Sequence, residues 1–178
     1  MPAVICHAPE DYRLEEQAVP TPGPEEVVIR VDSVEICASD LKCYSDAPMF
    51  WGDNTREGYC KTPIIPGHEF VGTVAALGEG AAAKYGLEIG DRAVSEQIVP
   101  CGDCRYCQCG QNWMCDVHDI YGFRQATFGA MAEYMRFPEK ALNYKVPESI
   151  SLQTAKARSR LRWNPNGRRE SKAVEQVW

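Results

Sequence analysis

The chain has 178 residues, 44% of them hydrophobic and 25% charged, which is enough apolar material for one domain with a real core and excludes a chain disordered throughout. Net charge is -6, unevenly spread: from Lys156 onward seven basic side chains face two acidic ones, a net of +5, which leaves -11 for residues 1 to 155. An acidic body excludes nucleic acid as the natural partner, and no apolar run reaches the ~18 residues of a membrane-spanning helix, so no membrane partner is expected.

The opening Met1-Pro-Ala-Val-Ile-Cys6 has no basic leader and no long apolar leader, so the expected location is cytoplasmic. Residues 1 to 36 read as β, with strands over Ala3 to Cys6, Arg13 to Val19 and Glu26 to Ile36. Thr21-Pro-Gly-Pro24 punctuates them as a turn. Ala38 to Tyr44 predicts one or two helical turns, and residues 45 to 62 a long irregular loop of the kind that is often functional. Strand character resumes over Pro63 to Leu77 and, after Gly90, over Asp91 to Val99. Residues 100 to 116 are a cysteine-rich lobe, followed by strands over Ala132 to Phe137 and Leu142 to Val146. Many short strands with Gly and Pro turns predict a mainly β fold of barrel type. From residue 156 the chain turns basic and Arg-rich, with neither a strand nor a helix period, and is expected to be a disordered tail.

Nine cysteines without a secretory leader point to metal or chemistry rather than to a disulfide framework. Four of them, Cys101, Cys104, Cys107 and Cys115, follow the spacing C-x2-C-x2-C-x7-C. Four thiolates on one short lobe make the closed tetrahedral shell of a structural zinc. Cys109 falls inside this run and competes as a ligand. A second constellation lies upstream, at Cys37-Ala-Ser39-Asp40 and Gly67-His68-Glu69. Thiolate, imidazole and carboxylate are the ligand set of a catalytic zinc that keeps one position open. Asp40 is suited to orient the His68 ring through its second nitrogen. Ser39 offers a hydroxyl that can pass a substrate proton towards solvent. Read singly, Cys37 is a buried small hydrophobe and His68 a satisfied core histidine; beside the cysteine lobe, the metal reading prevails.

Gly67-His-Glu-Phe-Val-Gly72 with Gly78, the Cys37-Ala-Ser-Asp40 segment, Gly90-Asp-Arg-Ala-Val94 and the four-cysteine lobe together resemble the medium-chain zinc-dependent alcohol dehydrogenases. The resemblance covers about residues 1 to 155 and is strongest to the polyol and threonine dehydrogenase branch. Three stretches, Cys37 to Tyr44, Ala47-Pro-Met-Phe-Trp-Gly52 and Val117-His-Asp-Ile-Tyr-Gly122, resemble erythritol/threitol dehydrogenases in particular. The resemblance implies a GroES-like β-barrel catalytic domain over 1–155. It also implies a catalytic zinc on Cys37, His68 and Glu69, a structural zinc on Cys101, Cys104, Cys107 and Cys115, a proton relay through Ser39, and Asp40 behind the metal ligands. Family members oxidise an alcohol with NAD(P)+ in a cleft against a Rossmann domain. Phe50 and Trp51 are candidates for the substrate side of that cleft, with plain apolar packing as the simpler role.

After Val146-Pro-Glu-Ser-Ile-Ser-Leu152 the sequence departs from the family pattern. The resemblance implies a further zinc ligand and then a Rossmann domain, whereas residues 155 to 178 run Arg-rich. This reads as translation in a shifted frame, with the Rossmann domain absent and the chain inactive alone. NAD(P) and a homo-oligomer are then expected only in a full-length form, acting on a small alcohol or polyol. The rival reading is a non-catalytic zinc-binding or interaction module. Gly78-Glu-Gly80-Ala-Ala-Ala83 matches G-x-G-x-x-A, but Gly86, Gly90 and a return to strand follow too soon for a dinucleotide-binding helix, so it reads as a connection. His7 and His118 read as surface or packing residues, and Cys6, Cys43 and Cys60 as small hydrophobes.

Overall fold

A computed structural model describes residues 1–156. The expected disordered or shifted-frame tail lies outside the described residues, apart from its first position. The chain opens with a hairpin of β1 (Pro2–Ala8) and β2 (Asp11–Glu16), paired from Pro2↔Glu16 to Ala8↔Asp11. β3 (Val27–Glu35) leads into α1 (Ala38–Tyr44), α2 (Pro48–Trp51) and a small hairpin of β4 (Gly52–Asp53) with β5 (Arg56–Glu57). β6 (Glu69–Leu77), α3 (Ala81–Tyr85), β7 (Arg92–Ser95) and β8 (Ile98–Val99) follow. The cysteine lobe carries α4 (Arg105–Gln108) and a 3-10 turn at Asn112–Met114. β9 (Asp119–Ile120), β10 (Tyr134–Phe137), β11 (Asn143–Lys145) and α5 (Leu152–Lys156) complete the described chain.

The main sheet has five antiparallel strands in the order β10-β3-β6-β7-β11. Its core is built by Val27, Ile29, Phe70, Val74, Leu87, Tyr121, Met135 and Phe137. Phe70, Tyr121 and Phe137 form an aromatic knot, with Phe70 meeting Tyr121 edge-on at 5.4 Å. A second cluster joins Cys6, Cys43, Phe50, Cys60, Ile64 and Phe123. α5 lies over the sheet, where Ala155 packs with Val71, Val94, Val146 and Ile150.

The expected mainly β barrel is not found. The fold is mixed α/β with several antiparallel sheets, and no sheet among the described residues closes on itself. Closure requires a continuous hydrogen-bonded circuit at a consistent register. Here the edge strands β10 and β11 have four and three residues and pair only inwards, with β3 and β7. Among the described residues, the hairpin of β1 and β2 pairs with the rest through the isolated bridges Ala3↔Ala132 and Cys6↔Ile64 rather than through a ladder.

Two expected strands are interrupted. The stretch from Pro63 becomes a strand only at Glu69, because Pro63 and Pro66 cannot donate to a ladder and Gly67 takes a positive φ of 96°. Asp91 to Val99 divides into β7 and β8. The G-x-G-x-x-A segment gives the five-residue α3 and returns as antiparallel β7, so no βαβ unit forms there. No helix among the described residues is long and apolar enough to cross a membrane.

Candidate metal centres

The β3–β6 register builds the first site. Glu35 pairs with Glu69 at the last rung, so Cys37, two residues past β3, arrives beside His68 and Glu69 at the start of β6. Cys37 is the N-cap of α1, with extended φ/ψ of -86° and 159°. Its backbone N–H donates to Asp40 Oδ2 at 2.8 Å, which closes a capping box. On the other strand, Gly67 is held from outside. The Gly129 N–H donates to the Ile65 carbonyl at 2.7 Å, and those of Ala130 and Met131 donate to the Gly67 and Pro66 carbonyls at 3.0 and 2.9 Å. A Cβ on Gly129 would stand 2.3 Å from the Pro66 oxygen, so only glycine permits this approach.

The donor atoms of Cys37, His68 and Glu69 all lie within 4.8 Å of one another. The residues are 7%, 2% and 5% exposed. Ser39 Oγ sits 3.2 Å from Cys37 Sγ and 3.1 Å from His68 Nε2. His68 Nδ1 faces Asp40 Oδ1 at 3.5 Å, and Asp40 itself is buried. Burial pulls the His68 pKa down, but the Asp40 carboxylate and the Cys37 sulfur outweigh it, and the net direction is up. For Cys37, burial raises the thiol, yet hydrogen bonds from the Ser39 side chain and backbone leave it lowered. One converging sulfur, imidazole and carboxylate are a ligand set that fits a zinc ion with a position to spare.

The second site brings together Cys101, Cys104, Cys107 and Cys115, again within 4.8 Å. Cys107 Sγ stands 3.9 Å from Cys101 Sγ and 3.5 Å from Cys104 Sγ. Backbone N–H groups of Asp103 and Cys104 each donate to Cys101 Sγ at 3.4 Å, and that of Cys101 donates to Cys115 Sγ at 3.3 Å. Such donors stabilise sulfur that carries negative charge. Cys109 caps the C-terminus of α4, is exposed, and is not among the four. Four sulfurs and no other donor fit a closed zinc shell.

The remaining sequence candidates separate clearly. Phe50 is 3% exposed and stacks on Phe123 at 4.9 Å, so it packs. Trp51 is half-buried and donates from Nε1 to the Cys43 carbonyl at 2.6 Å. His7 pairs with Glu15, and His118 meets the Tyr59 ring edge-on. Cys6, Cys43 and Cys60 are all buried. Phe123 was not singled out by sequence reasoning, yet its ring centroid lies 5.2 Å from that of His68. Fifty-five positions separate the two, and nothing in the local pattern announces the contact.

Residues 23–148 match the family of the alcohol dehydrogenase GroES-like domain. The erythritol/L-threitol dehydrogenase of Mycolicibacterium smegmatis is 56% identical over 155 residues, which are 87% of this chain and 43% of that protein. The L-threonine 3-dehydrogenase of Stenotrophomonas maltophilia is 40% identical over 142 residues, covering 80% of this chain and 38% of that protein. Among solved structures, the alcohol dehydrogenase of Thermus sp. ATN1 superposes with a TM-score of 0.69 at 31% identity, covering 86% of this chain and 42% of that one. The chain therefore spans less than half the length of the relatives it matches.

Proposed function

This chain belongs to the alcohol dehydrogenase GroES-like domain family, and from that premise we propose that it is the metal- and substrate-binding part of a zinc-dependent, NAD(P)-linked dehydrogenase of small alcohols or polyols. The observation that carries the reading is the convergence of Cys37, His68 and Glu69 beside the Ser39 hydroxyl. In this reading those three residues hold the catalytic zinc, and Cys101, Cys104, Cys107 and Cys115 hold the structural one. Bound there, zinc supplies a Lewis acid that makes an alcohol hydroxyl easier to deprotonate.

The chain's own residues do the rest. Ser39 takes the hydroxyl proton and passes it away from the buried site. Asp40 fixes the His68 ring from behind and holds the N-terminus of α1, so the thiol of Cys37 cannot swing away. Phe50 and Phe123 exclude water on one side of the imidazole. Ile36 and Leu41, next in the chain to Cys37 and Asp40, are 71% and 62% exposed and offer apolar side chains to a second unit that brings the nicotinamide.

The 56% identity to an erythritol/L-threitol dehydrogenase favours a four-carbon polyol as substrate. Catalysis then belongs to a full-length form, as does a homo-oligomer. The test is NAD(P)+ reduction by a full-length form given erythritol, threitol, threonine and ethanol. Turnover of the tetritols over the others supports the reading. Zinc binding with no hydride transfer from any of them would replace it with the non-catalytic zinc module.

A further inference from the structure

Segment 45–62, expected to be an irregular loop, carries α2 and the β4–β5 hairpin and closes at a neck of two thiols. Cys43, on α1, and Cys60, at the far end of the segment, stand with their Sγ atoms 3.9 Å apart. Hydrogen bonds hold the rest of the neck. Trp51 Nε1 donates to the Cys43 carbonyl at 2.6 Å, and the Cys60 N–H donates to the Phe50 carbonyl at 2.8 Å. Cys6, from β1, also interacts with Cys43. All three thiols share one apolar cluster with Phe50, Ile64 and Phe123. This trio is not among the metal-holding groups of the described residues. Cys6 and Cys43 are 0% and 1% exposed, whereas Cys60 is 8% exposed. Cys60 is therefore the member an oxidant meets first.

We propose that Cys43 and Cys60 form a redox latch, in which oxidation by a peroxide or a small disulfide joins the two sulfurs and makes the neck of the segment covalent. With hydrogen peroxide, the Cys60 sulfur takes one oxygen to become a sulfenic acid, and one water leaves. The Cys43 sulfur then attacks the Cys60 sulfur, the S–O bond breaks, and a second water leaves. Two thiols have lost two electrons and two protons, and one peroxide has become two waters. With a small disulfide as oxidant, two small thiols are released instead. The second step is intramolecular between atoms already in contact, which gives it the advantage of proximity.

Burial also bears on the second step. The Cys6 thiol pulls the Cys43 pKa down, but the Cys60 thiol and burial outweigh it and push it up to about 12. The attacking species is the thiolate, so attack by Cys43 on the oxidised Cys60 should speed up as pH rises from 7 to 9. The latch would stiffen the wall beside the metal ligands, because Phe50 lies on Phe123 and Phe123 on His68.

The test uses the zinc-loaded full chain, treated with hydrogen peroxide at pH 7 and pH 9. The protein is then unfolded in iodoacetamide, digested without reduction and mapped by mass spectrometry. The expected result is a peptide pair linking Cys43 to Cys60, lighter by two hydrogens, formed faster at pH 9, and still formed in Cys6→Ser. Slower amide exchange over residues 45–59 should accompany it. Recovery of Cys43 and Cys60 as alkylated thiols while Cys109 is oxidised would overturn the proposal, as would a Cys6–Cys43 pair.

Discussion

Ser39 and Asp40 are two neighbours with different duties. Ser39 Oγ touches both a sulfur and an imidazole nitrogen of the ligand set, so it is placed to move a proton. Ser39→Ala in a full-length form should lower kcat by roughly 10²- to 10⁴-fold and leave the zinc content unchanged; unchanged kcat would remove Ser39 from the relay. Asp40→Ala should instead weaken metal binding by about 10- to 100-fold, since it removes the group behind His68. It should also loosen the N-terminus of α1, where its carboxylate accepts the Cys37 N–H. Competition with a zinc-sensitive dye and denaturant unfolding read the two effects.

Glu96 carries a pH dependence of its own. It is 8% exposed, and burial pushes its carboxyl up to about 7 despite the Tyr144 hydroxyl 3.3 Å away. The folded state therefore holds a proton that the unfolded state releases near the ordinary value of 4.5. Stability from this group is complete below that value and is lost as pH rises through about 7, at up to about 1.4 kcal/mol per pH unit. Glu96→Gln keeps the neutral shape, so unfolding at pH 5 and pH 8 should differ less in the variant than in the parent. Equal pH slopes would show that Glu96 is not the titrating group.

At the scale of elements, the turn before β6 seats His68. Gly129→Ala would drive a Cβ to 2.3 Å from the Pro66 oxygen and 2.4 Å from the Gly67 oxygen. The variant should destabilise the fold by more than about 2 kcal/mol. Where it still folds, zinc should be lost from the Cys37 set before the cysteine lobe. Stepwise chelation followed by metal analysis checks the order, and loss from the lobe first would contradict the account.

The same elements show what was legible in the sequence. The cysteine lobe could be read because closely spaced thiols must meet whatever the rest of the chain does. Cys37 and His68 could be paired by ligand type beside the cysteine lobe and by resemblance, but not by spacing, because what unites them is the rung Glu35↔Glu69, a long-range register. The contact of Phe123 with His68 is equally long-range and was not foreseen. The barrel was over-read from a rhythm of short strands. Strand count does not encode whether edge strands meet, and β10 and β11 pair only inwards. The break before β6 was written in Pro63, Pro66 and Gly67, but the apolar run around them masked it.

For the whole molecule, the sheet works as a frame that carries two metal sets of different character. One is buried and assembled from distant segments, with a hydroxyl at its side. The other is local, made of four sulfurs from one lobe, and partly exposed. Structural metal binding is folding energy, so the lobe should lose its order with its metal, while the five-stranded sheet, built on its own core, should persist. The Cys37 set should behave differently, because its residues are already seated by a cap and a strand register.

The most direct measurement is zinc content per chain by mass spectrometry, in the parent and in His68→Ala. The account predicts about two zinc ions in the parent and about one in the variant, with the lobe still loaded. Equal zinc in the two proteins would contradict it, because His68 would then hold no metal.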